Sequence, residues 1–161
     1  PAPHGAQPRP PDPLARIRRH AHARTIARTW RTLTGLRTTP DSDRTTLVAC
    51  SGGADSTALL IALAAAARRH IVAAHILHDL RPAPQAHADL RAVQALADRL
   101  GIPFLHTPIT VRDLPGNTEA AARRARYHAL AELARQARCP FVAVAHQGDD
   151  LVETLLMRLL R

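Results

Sequence analysis

The fold is decided by one stretch of the sequence, Leu47-Val48-Ala49-Cys50-Ser51-Gly52-Gly53-Ala54-Asp55-Ser56-Thr57. Its apolar first part predicts a buried strand, and the Ser-Gly-Gly segment predicts a tight turn. A strongly helical segment, residues 58–69, follows at once, so the turn leads directly into a helix N-terminus. The stretch therefore predicts a strand, a glycine loop and a helix in succession.

The chemistry of this loop favours a bound phosphate. Backbone N–H groups at a helix N-terminus point at one spot, and the helix dipole favours negative charge there. The adjacent glycines Gly52 and Gly53 let the backbone approach a phosphate without a Cβ in the way. Asp55 would repel such a ligand unless a cation lay between them. We therefore predict a pyrophosphate site with a bound metal, although a plain turn capped by Asp55 or Ser56 would explain the loop taken alone.

Known phosphate-binding signatures do not describe this loop. A Walker A motif needs a lysine, and all 22 basic residues of the chain are arginine. The glycine spacing is also wrong for a Rossmann fingerprint. The loop is thus a different kind of phosphate site.

Apolar and helical segments alternate along the rest of the chain, which predicts an α/β protein. An alternation of this kind gives an open parallel sheet with helices on both faces. In such sheets ligands bind beyond the carboxyl ends of the strands. The predicted strands are residues 45–50, 71–77, 104–111 and 141–145, and the predicted helices are residues 55–70, 85–100, 118–138 and 149 onward.

Three regions are predicted along the chain. Residues 1–13 contain six prolines and form a disordered tail. Residues 14–44 form a basic helical segment and linker, and residues 45–161 form the α/β domain. Because the sequence ends within a helical pattern, we expect it to be a fragment of a longer protein.

The charge of the chain suggests a polyanionic partner, with nucleic acid first. The formal net charge is +9, and the segment from Arg9 to Arg37 holds eight arginines and one acid, Asp12. A solvated basic face and an RNA-contacting face explain this segment equally well.

Cysteine usage and hydropathy indicate a cytoplasmic protein. Cys50 and Cys139 lie far apart and outside any Cys-x-x-Cys pair, which argues against a disulfide framework or a zinc site. No apolar run approaches the length of a membrane span, and the N-terminus lacks the apolar core of a signal peptide. A membrane partner is therefore not expected.

Polar clusters follow the other predicted strands. Glu119, Arg123 and Arg126 share one helix face after the third strand. A surface ion pair would explain them, but their position at the same sheet edge as the glycine loop argues for a functional role. A capping box explains Asp150 and Glu153 but leaves the neighbouring Asp149 unexplained. Carboxylates facing Asp55 across the sheet edge would repel one another unless a hard cation such as Mg²⁺ joined them to phosphate oxygens.

Four motifs follow one another along the chain. They are Ser51-Gly52-Gly53-Ala54-Asp55-Ser56, His75-x-x-His78-x-Leu80-Arg81, Glu119-x-x-x-Arg123-x-x-Arg126-Tyr127 and His146-x-x-Asp149-Asp150-x-x-Glu153-Thr154. In this order they resemble the motifs of the tRNA(Ile)-lysidine synthetase family of N-type ATP pyrophosphatases. The resemblance spans residues 45–161 and departs from the family at Asp79, where glycine is usual, and at Leu151, where glutamine is frequent.

The resemblance implies an ATP-dependent tRNA-modifying enzyme. ATP with Mg²⁺ would adenylate the wobble cytidine of an isoleucine tRNA with a CAU anticodon, releasing diphosphate. Free L-lysine would then displace AMP and form lysidine.

The resemblance also implies a role for individual residues. The implied catalytic residues are Asp55, Asp149 and Asp150, of which Asp55 and Asp150 carry the metal. The implied nucleotide-binding residues are Ser51, Gly52, Gly53, Ala54, Asp55 and Ser56 at the phosphates, Ile76 at the adenine, and His146, Arg123 and Arg126 at the nucleotide or tRNA.

Two alternatives remain open. A tRNA 2-thiolation enzyme shares the loop and the His-x-x-Asp-Asp ending but usually has a Cys-x-x-Cys near the start of the third crossover helix, where residues 117–126 hold no cysteine. A non-catalytic nucleotide- or RNA-binding module would gain from losing Asp55, Asp149 and Asp150, so their presence argues against it. The sequence leaves open whether the protein forms homo-oligomers.

Overall fold

A four-stranded parallel sheet lies at the centre of the fold. The computed structural model describes residues 12, 14–36, 38–79, 82–111 and 118–145. Within these residues the strand order is β3-β2-β1-β4. Each strand begins and ends within two residues of its predicted position, so the predicted parallel sheet is confirmed. The strands are β1 (Thr46–Ala49), β2 (Ile71–His78), β3 (Phe104–Ile109) and β4 (Phe141–Val144).

Helices connect the strands and precede them. The predicted single helix across the basic segment differs from the structure, which has two helices there. His20 separates them because its backbone is extended, with φ −67° and ψ 136°, and this interrupts the helical hydrogen bonds. The described helices are α1 (Ala15–Arg19), α2 (Ala21–Leu33), α3 (Ala54–Ala67), α4 (Ala83–Leu100) and α5 (Thr118–Gln136).

Helices pack on both faces of the sheet, as the alternation predicts. Side chains alternate between the faces of a strand, so β1 contributes Val48 to one core and Leu47 to the other. Val48 packs in the core shared by α1, α2, α3 and α4, and Leu47 packs in the core shared with α5. Because few aromatic residues are available, both cores consist mostly of Ala, Leu, Val and Ile.

The topology creates a crevice beside β1. The chain runs from β1 through β2 to β3 on one side, then crosses the opposite face in α5 and returns to pair β4 with the other side of β1. Ligands in open α/β sheets bind where the strand order reverses in this way, beyond the carboxyl ends of the strands. The segment after β1, which holds the glycine loop, lies at this point.

A glycine ends α4, and a proline lies within β3. Gly101 ends α4 in a left-handed conformation (φ 64°), and the Ile102 N–H donates to the Ala97 carbonyl at 3.1 Å. Pro108 lies within β3, which in the described sheet has a neighbour on one side only. Proline is tolerated in such an edge strand because one side of its backbone needs no ladder hydrogen bond.

Some predictions fall outside the described residues. These are the disordered tail apart from Asp12, and the last helix from residue 149 onward. In the part of the chain that the structure describes, no helix combines the length and apolar character needed to span a bilayer. Cys50 and Cys139 are both buried free thiols.

Candidate active site

A cavity of about 300 Å³ opens at the carboxyl ends of β1, β2 and β4. Its volume is at the lower end of the range for small-molecule sites. Its walls come from the glycine loop, the end of β2, the helices α4 and α5, and the end of β4. The lining residues include Cys50, Ser51, Ser56, His75, Ile76, Asp89, Arg126, Tyr127, Val144 and Ala145.

The glycine loop has the backbone that the sequence predicts. Gly52 has φ 89°, a left-handed conformation that L side chains rarely adopt, and Gly53 is the N-cap of α3. The first intrahelical bond runs from the Thr57 N–H to the Gly53 carbonyl at 3.0 Å. Ser51, Gly52, Gly53, Ala54 and Asp55 are all exposed. The helix N-terminus is therefore open to a ligand at the mouth of the cavity.

Ser56 braces this loop from within. Its side chain is buried, and its hydroxyl donates to the Gly53 carbonyl at 3.0 Å. The same oxygen accepts from the Ser51 N–H at 3.2 Å and lies 3.2 Å from the Ser51 hydroxyl. Since these bonds use the Ser56 oxygen within the loop, the exposed Ser51 is the more available hydroxyl at the surface of the cavity.

His75 holds the floor of the cavity. The side chain is buried, and Nδ1 lies 2.8 Å from the Cys50 carbonyl at the end of β1. A carbonyl only accepts, so Nδ1 carries the hydrogen of this bond. The bond ties the ends of β1 and β2 together. A structural role thus accounts for this histidine of the second motif.

Asp79 has a similar tying role just beyond β2. Its Oδ1 accepts a hydrogen bond from the Val111 N–H at 2.8 Å, which joins the exits of β2 and β3. This contact gives a structural reason for a carboxylate at the position where the family resemblance leads us to expect glycine. Ile76, two residues before the end of β2, is half-buried and lines the cavity.

Helix α5 brings positive charge to the opposite wall. Arg126 and Tyr127 line the cavity, and the Arg123 guanidinium lies 5.7 Å from the centre of the Tyr127 ring. An arginine–tyrosine contact of this kind orients a guanidinium without using its hydrogen-bond donors. Arg126 is thus brought together with Ser51, Ser56 and Ile76 around one cavity, while Arg123 lies beside it.

Sequence reasoning missed Asp89, a polar residue of this cavity. A Cβ added at Gly52 would lie 3.8 Å from Oδ1 of Asp89, so this carboxylate on α4 faces the glycine loop. Tyr127 was part of the third motif, but no role was predicted for it. No sequence signal marked Asp89, since only the packing of α4 brings it to the loop.

The family assignment follows from a sequence comparison. The profile of an ATP-binding family, described as "PP-loop domain", matches residues 23–161. The chain belongs to the PP-loop domain family. The glycine loop and the cavity lie within the matched residues.

The chain is also similar to individual curated proteins, among them three that are named tRNA(Ile)-lysidine synthase. The tRNA(Ile)-lysidine synthases of Deinococcus deserti, Thermus thermophilus and Bacillus cereus are 43%, 40% and 39% identical over 126, 119 and 127 residues. These matches cover 76%, 71% and 74% of this chain but 23%, 23% and 26% of the relatives. The chain therefore spans about a quarter of the length of the curated relatives it matches.

A solved structure shares the fold. The U34-tRNA thiolase NcsA of Methanococcus maripaludis, solved with its [4Fe-4S] cluster, has a TM-score of 0.68 and covers 85% of this chain and 50% of its own. At 17% identity this likeness supports the fold alone.

The predicted carboxylates are only partly within the described residues. Asp55 is exposed in the first turn of α3, whereas His146, Asp149 and Asp150 lie outside the described residues. Val144 and Ala145, the described residues before His146, line the cavity. The last described residue of the chain, Ala145, therefore lies at the edge of this site.

The donor set at the loop suits Mg²⁺. Among the residues that the structure describes, no three His, Cys, Asp or Glu side chains cluster as metal ligands. Mg²⁺ in nucleotide sites uses one or two carboxylates and takes its other ligands from phosphates and water. One exposed carboxylate, Asp55, beside a row of amides fits that pattern.

Proposed function

We propose that this PP-loop domain is the ATP-binding, adenylating part of a tRNA(Ile)-lysidine synthase. The observation that carries the proposal is the cavity in which the glycine loop, the end of β2 and Arg126 converge at the switch point of the sheet. The names of its relatives supply the substrate class.

The loop residues hold the phosphates in this proposal. The amides of residues 52–56 and the Ser51 hydroxyl donate to phosphate oxygens, and the dipole of α3 adds a favourable field. Ser56 keeps the loop in shape through its bonds to Ser51 and Gly53. The half-buried end of β2 near Ile76 receives the adenine through its backbone.

Charge is balanced by residues on both sides of the loop. Asp55 and Asp150 would hold Mg²⁺, with Asp149 assisting, and the bound metal would supply charge neutralisation at the diphosphate leaving group. Arg126 binds phosphate oxygens from α5. His146 and Arg123 contact the nucleotide or the tRNA.

The reaction needs no protein nucleophile. The C2 carbonyl oxygen of the wobble cytidine attacks the α-phosphorus of ATP, and diphosphate leaves. The ε-amine of free L-lysine then attacks C2, and AMP leaves with the oxygen. The protein contributes by positioning the reactants and by stabilising charge in a site shielded from water.

Diphosphate release tests the proposal. The chain is incubated with ATP, Mg²⁺, labelled L-lysine and an isoleucine tRNA bearing cytidine at the wobble position, and a tRNA with uridine there is the matched control. We expect diphosphate release and lysine incorporation with the cytidine tRNA only. Release without lysine incorporation would favour thiolation, and ATP binding without any release would favour a non-catalytic module.

A substitution at the loop carboxylate tests the metal assignment. We expect Asp55→Asn to weaken ATP binding in Mg²⁺ at least about tenfold, which corresponds to roughly 1.4 kcal/mol. In EDTA the Asp55→Asn protein should bind ATP at least as tightly as wild type, because without the metal the Asp55 carboxylate only repels the phosphates. Asp98→Asn, an exposed change near the far end of α4, is the control. Equal weakening with and without Mg²⁺ would assign Asp55 a role without metal.

A further inference from the structure

The first two helices present a set of unpaired arginines, which we call the arginine face and define as Arg16, Arg19, Arg24 and Arg28. All four side chains are exposed. No carboxylate among the described residues pairs with any of them, whereas their neighbours Arg18 and Arg31 pair with aspartates. The arginine face is therefore a surface of uncompensated positive charge.

The apolar side of α2 fixes this face on the domain. Ala23, Ala27 and Trp30 are buried against the core, and the Trp30 indole N–H donates to the Thr46 hydroxyl at 2.9 Å. Thr46 is the first residue of β1, so α2 is tied to the central strand of the sheet. Arg24 and Arg28 therefore project from a helix that is fixed on the domain before any ligand arrives.

A buried arginine locks the end of the same helix. The side chain of Arg44 is 1% exposed, and its guanidinium donates to the carbonyls of Arg31, Leu36 and Thr39 and to the Thr34 hydroxyl. The last carbonyls of a helix otherwise lack partners within it. This cap holds the C-terminal end of α2 as firmly as Trp30 holds its buried side.

A groove runs beside the arginine face toward α3. Its walls include Arg24 and Arg28 from α2 and Ala62 and Ala66 from α3. The small side chains on α3 keep the groove open, and the guanidiniums form one of its edges. An extended polyanion could therefore lie along α2 with its charges against arginine.

The arginine face begins near the candidate ATP site. His20 and His22, at the junction of α1 and α2, border the same surface depression as Ala58 of α3. Ala58 lies four residues after the start of α3, about 6 Å along the helix at 1.5 Å per residue. Arg16 borders the same depression, so a large substrate at the glycine loop would come near one end of the arginine face slightly more than one helical turn along α3.

We propose that the arginine face binds the phosphate backbone of the RNA substrate. This inference rests on the proposed function and deepens it, since it names a surface that would hold the RNA outside the reaction site. Arginine forks bind phosphate oxygens in pairs. Arg24 and Arg28 stand four residues apart and repel each other, and a bound polyanion relieves that repulsion.

The burial of α2 favours RNA over an anionic membrane. A helix that lies on a membrane inserts its apolar face into the lipid. Most of the apolar side of α2 is already packed against the domain core through Ala23, Ala27 and Trp30, and Leu33 alone is exposed at its end. Phosphate contact through arginine alone is the mode typical of a nucleic-acid backbone.

The salt dependence of tRNA binding tests this inference. The double variant Arg24→Gln, Arg28→Gln is compared with the wild-type chain and with the matched control Arg91→Gln, Arg99→Gln, which removes two exposed arginines from α4. Fluorescence anisotropy gives the tRNA dissociation constant across a range of salt concentrations. ATP binding and phosphatidylserine-vesicle binding are measured on the same proteins.

The logarithm of the tRNA association constant falls linearly with the logarithm of the salt concentration, and each phosphate contact contributes about 0.7–0.9 to the size of that slope. Because the α2 variant loses two contacts, we expect its slope to be smaller in magnitude by about 1.4–1.8. The control should keep the wild-type slope, and ATP binding should be the same in all three proteins. An unchanged slope, an equal change in the control, or a loss of vesicle binding in place of RNA binding overturns the inference.

The outcome is separable from that of the proposed function. If tRNA binding depends on α2 while diphosphate release is absent, the RNA-binding role of the arginine face is supported and the proposed lysidine-forming reaction is contradicted. If diphosphate release depends on the wobble cytidine while the salt-dependence slope of the α2 variant is unchanged, the proposed reaction is supported and the RNA-binding role of the arginine face is contradicted.

Discussion

At the scale of single residues, the glycine loop combines two requirements that different glycines meet. Gly52 has a left-handed backbone, whereas Gly53 has φ −72°, which any residue adopts. A Cβ at either position would meet its neighbours at 3.5 Å or more, which is ordinary contact. The conformational need for glycine therefore lies at Gly52, and the need at Gly53 is for close approach by the ligand.

Two alanine substitutions separate these requirements. We expect Gly52→Ala to lower the free energy of unfolding by about 1–2 kcal/mol, the cost of a left-handed L residue. Gly53→Ala should leave the free energy of unfolding within about 0.5 kcal/mol of wild type, as is usual for surface substitutions. Urea unfolding of both variants checks this. Equal destabilisation by the two substitutions is the result that would count against the assignment.

At the scale of elements, α2 depends on contacts that the helical periodicity predicts only in part. The spacing of Ile26, Trp30 and Leu33 predicts an amphipathic helix against the domain, and Trp30 is indeed buried, although Leu33 is 76% exposed. The partners that hold its end, Arg44 and Asp41, come from the linker after it. The linker therefore supplies the side chains that bind the C-terminal end of α2.

Removal of the buried cap should destabilise the protein. We expect Arg44→Met to lower the free energy of unfolding by about 2–4 kcal/mol, because several buried carbonyls lose their donor. Arg16→Met, an exposed change on α1, should cost less than about 0.5 kcal/mol. Denaturant unfolding monitored by the fluorescence of Trp30 reports on both. If Arg44→Met lowers the free energy of unfolding no more than Arg16→Met does, water must replace the hydrogen bonds that Arg44 donates.

The ion pair beside this cap should make stability depend on pH. Arg31 donates to both oxygens of Asp41, at 3.0 and 2.7 Å, and holds the pKa of that carboxyl below its ordinary value of 3.8. A carboxylate with a lowered pKa in the folded state stabilises the protein above its unfolded pKa. That stabilisation is lost as the pH falls through the lower, folded-state value.

Two variants isolate the contribution of this pair. We expect Asp41→Asn and Arg31→Gln each to flatten the fall in unfolding free energy below about pH 4, where the unfolded carboxyl titrates. Both should also be less stable than wild type at pH 7. Thermal unfolding from pH 7 to pH 3 measures the profiles. Variant curves parallel to the wild-type curve would assign the acid sensitivity to other groups.

At the scale of the whole molecule, the sequence predicted the sheet and the glycine loop because both depend on local patterns. Apolar runs between turn residues located all four strands within two residues. Asp89 was missed because its place depends on how α4 packs over the loop, and the bracing role of Ser56 was missed because its buried hydrogen bonds leave no trace in spacing. The break at His20 was missed because nothing in its residue type demands an extended backbone.

The whole proposal depends on a metal-bound triphosphate at the junction of β1 and α3. The most direct measurement is a crystal structure of the chain with Mg²⁺ and a non-hydrolysable ATP analogue. We predict the triphosphate against the amides of residues 52–56 and a Mg²⁺ ion bound by the carboxylates of Asp55 and Asp150. A triphosphate away from this loop, or a metal ion that neither carboxylate binds, would contradict the assignment.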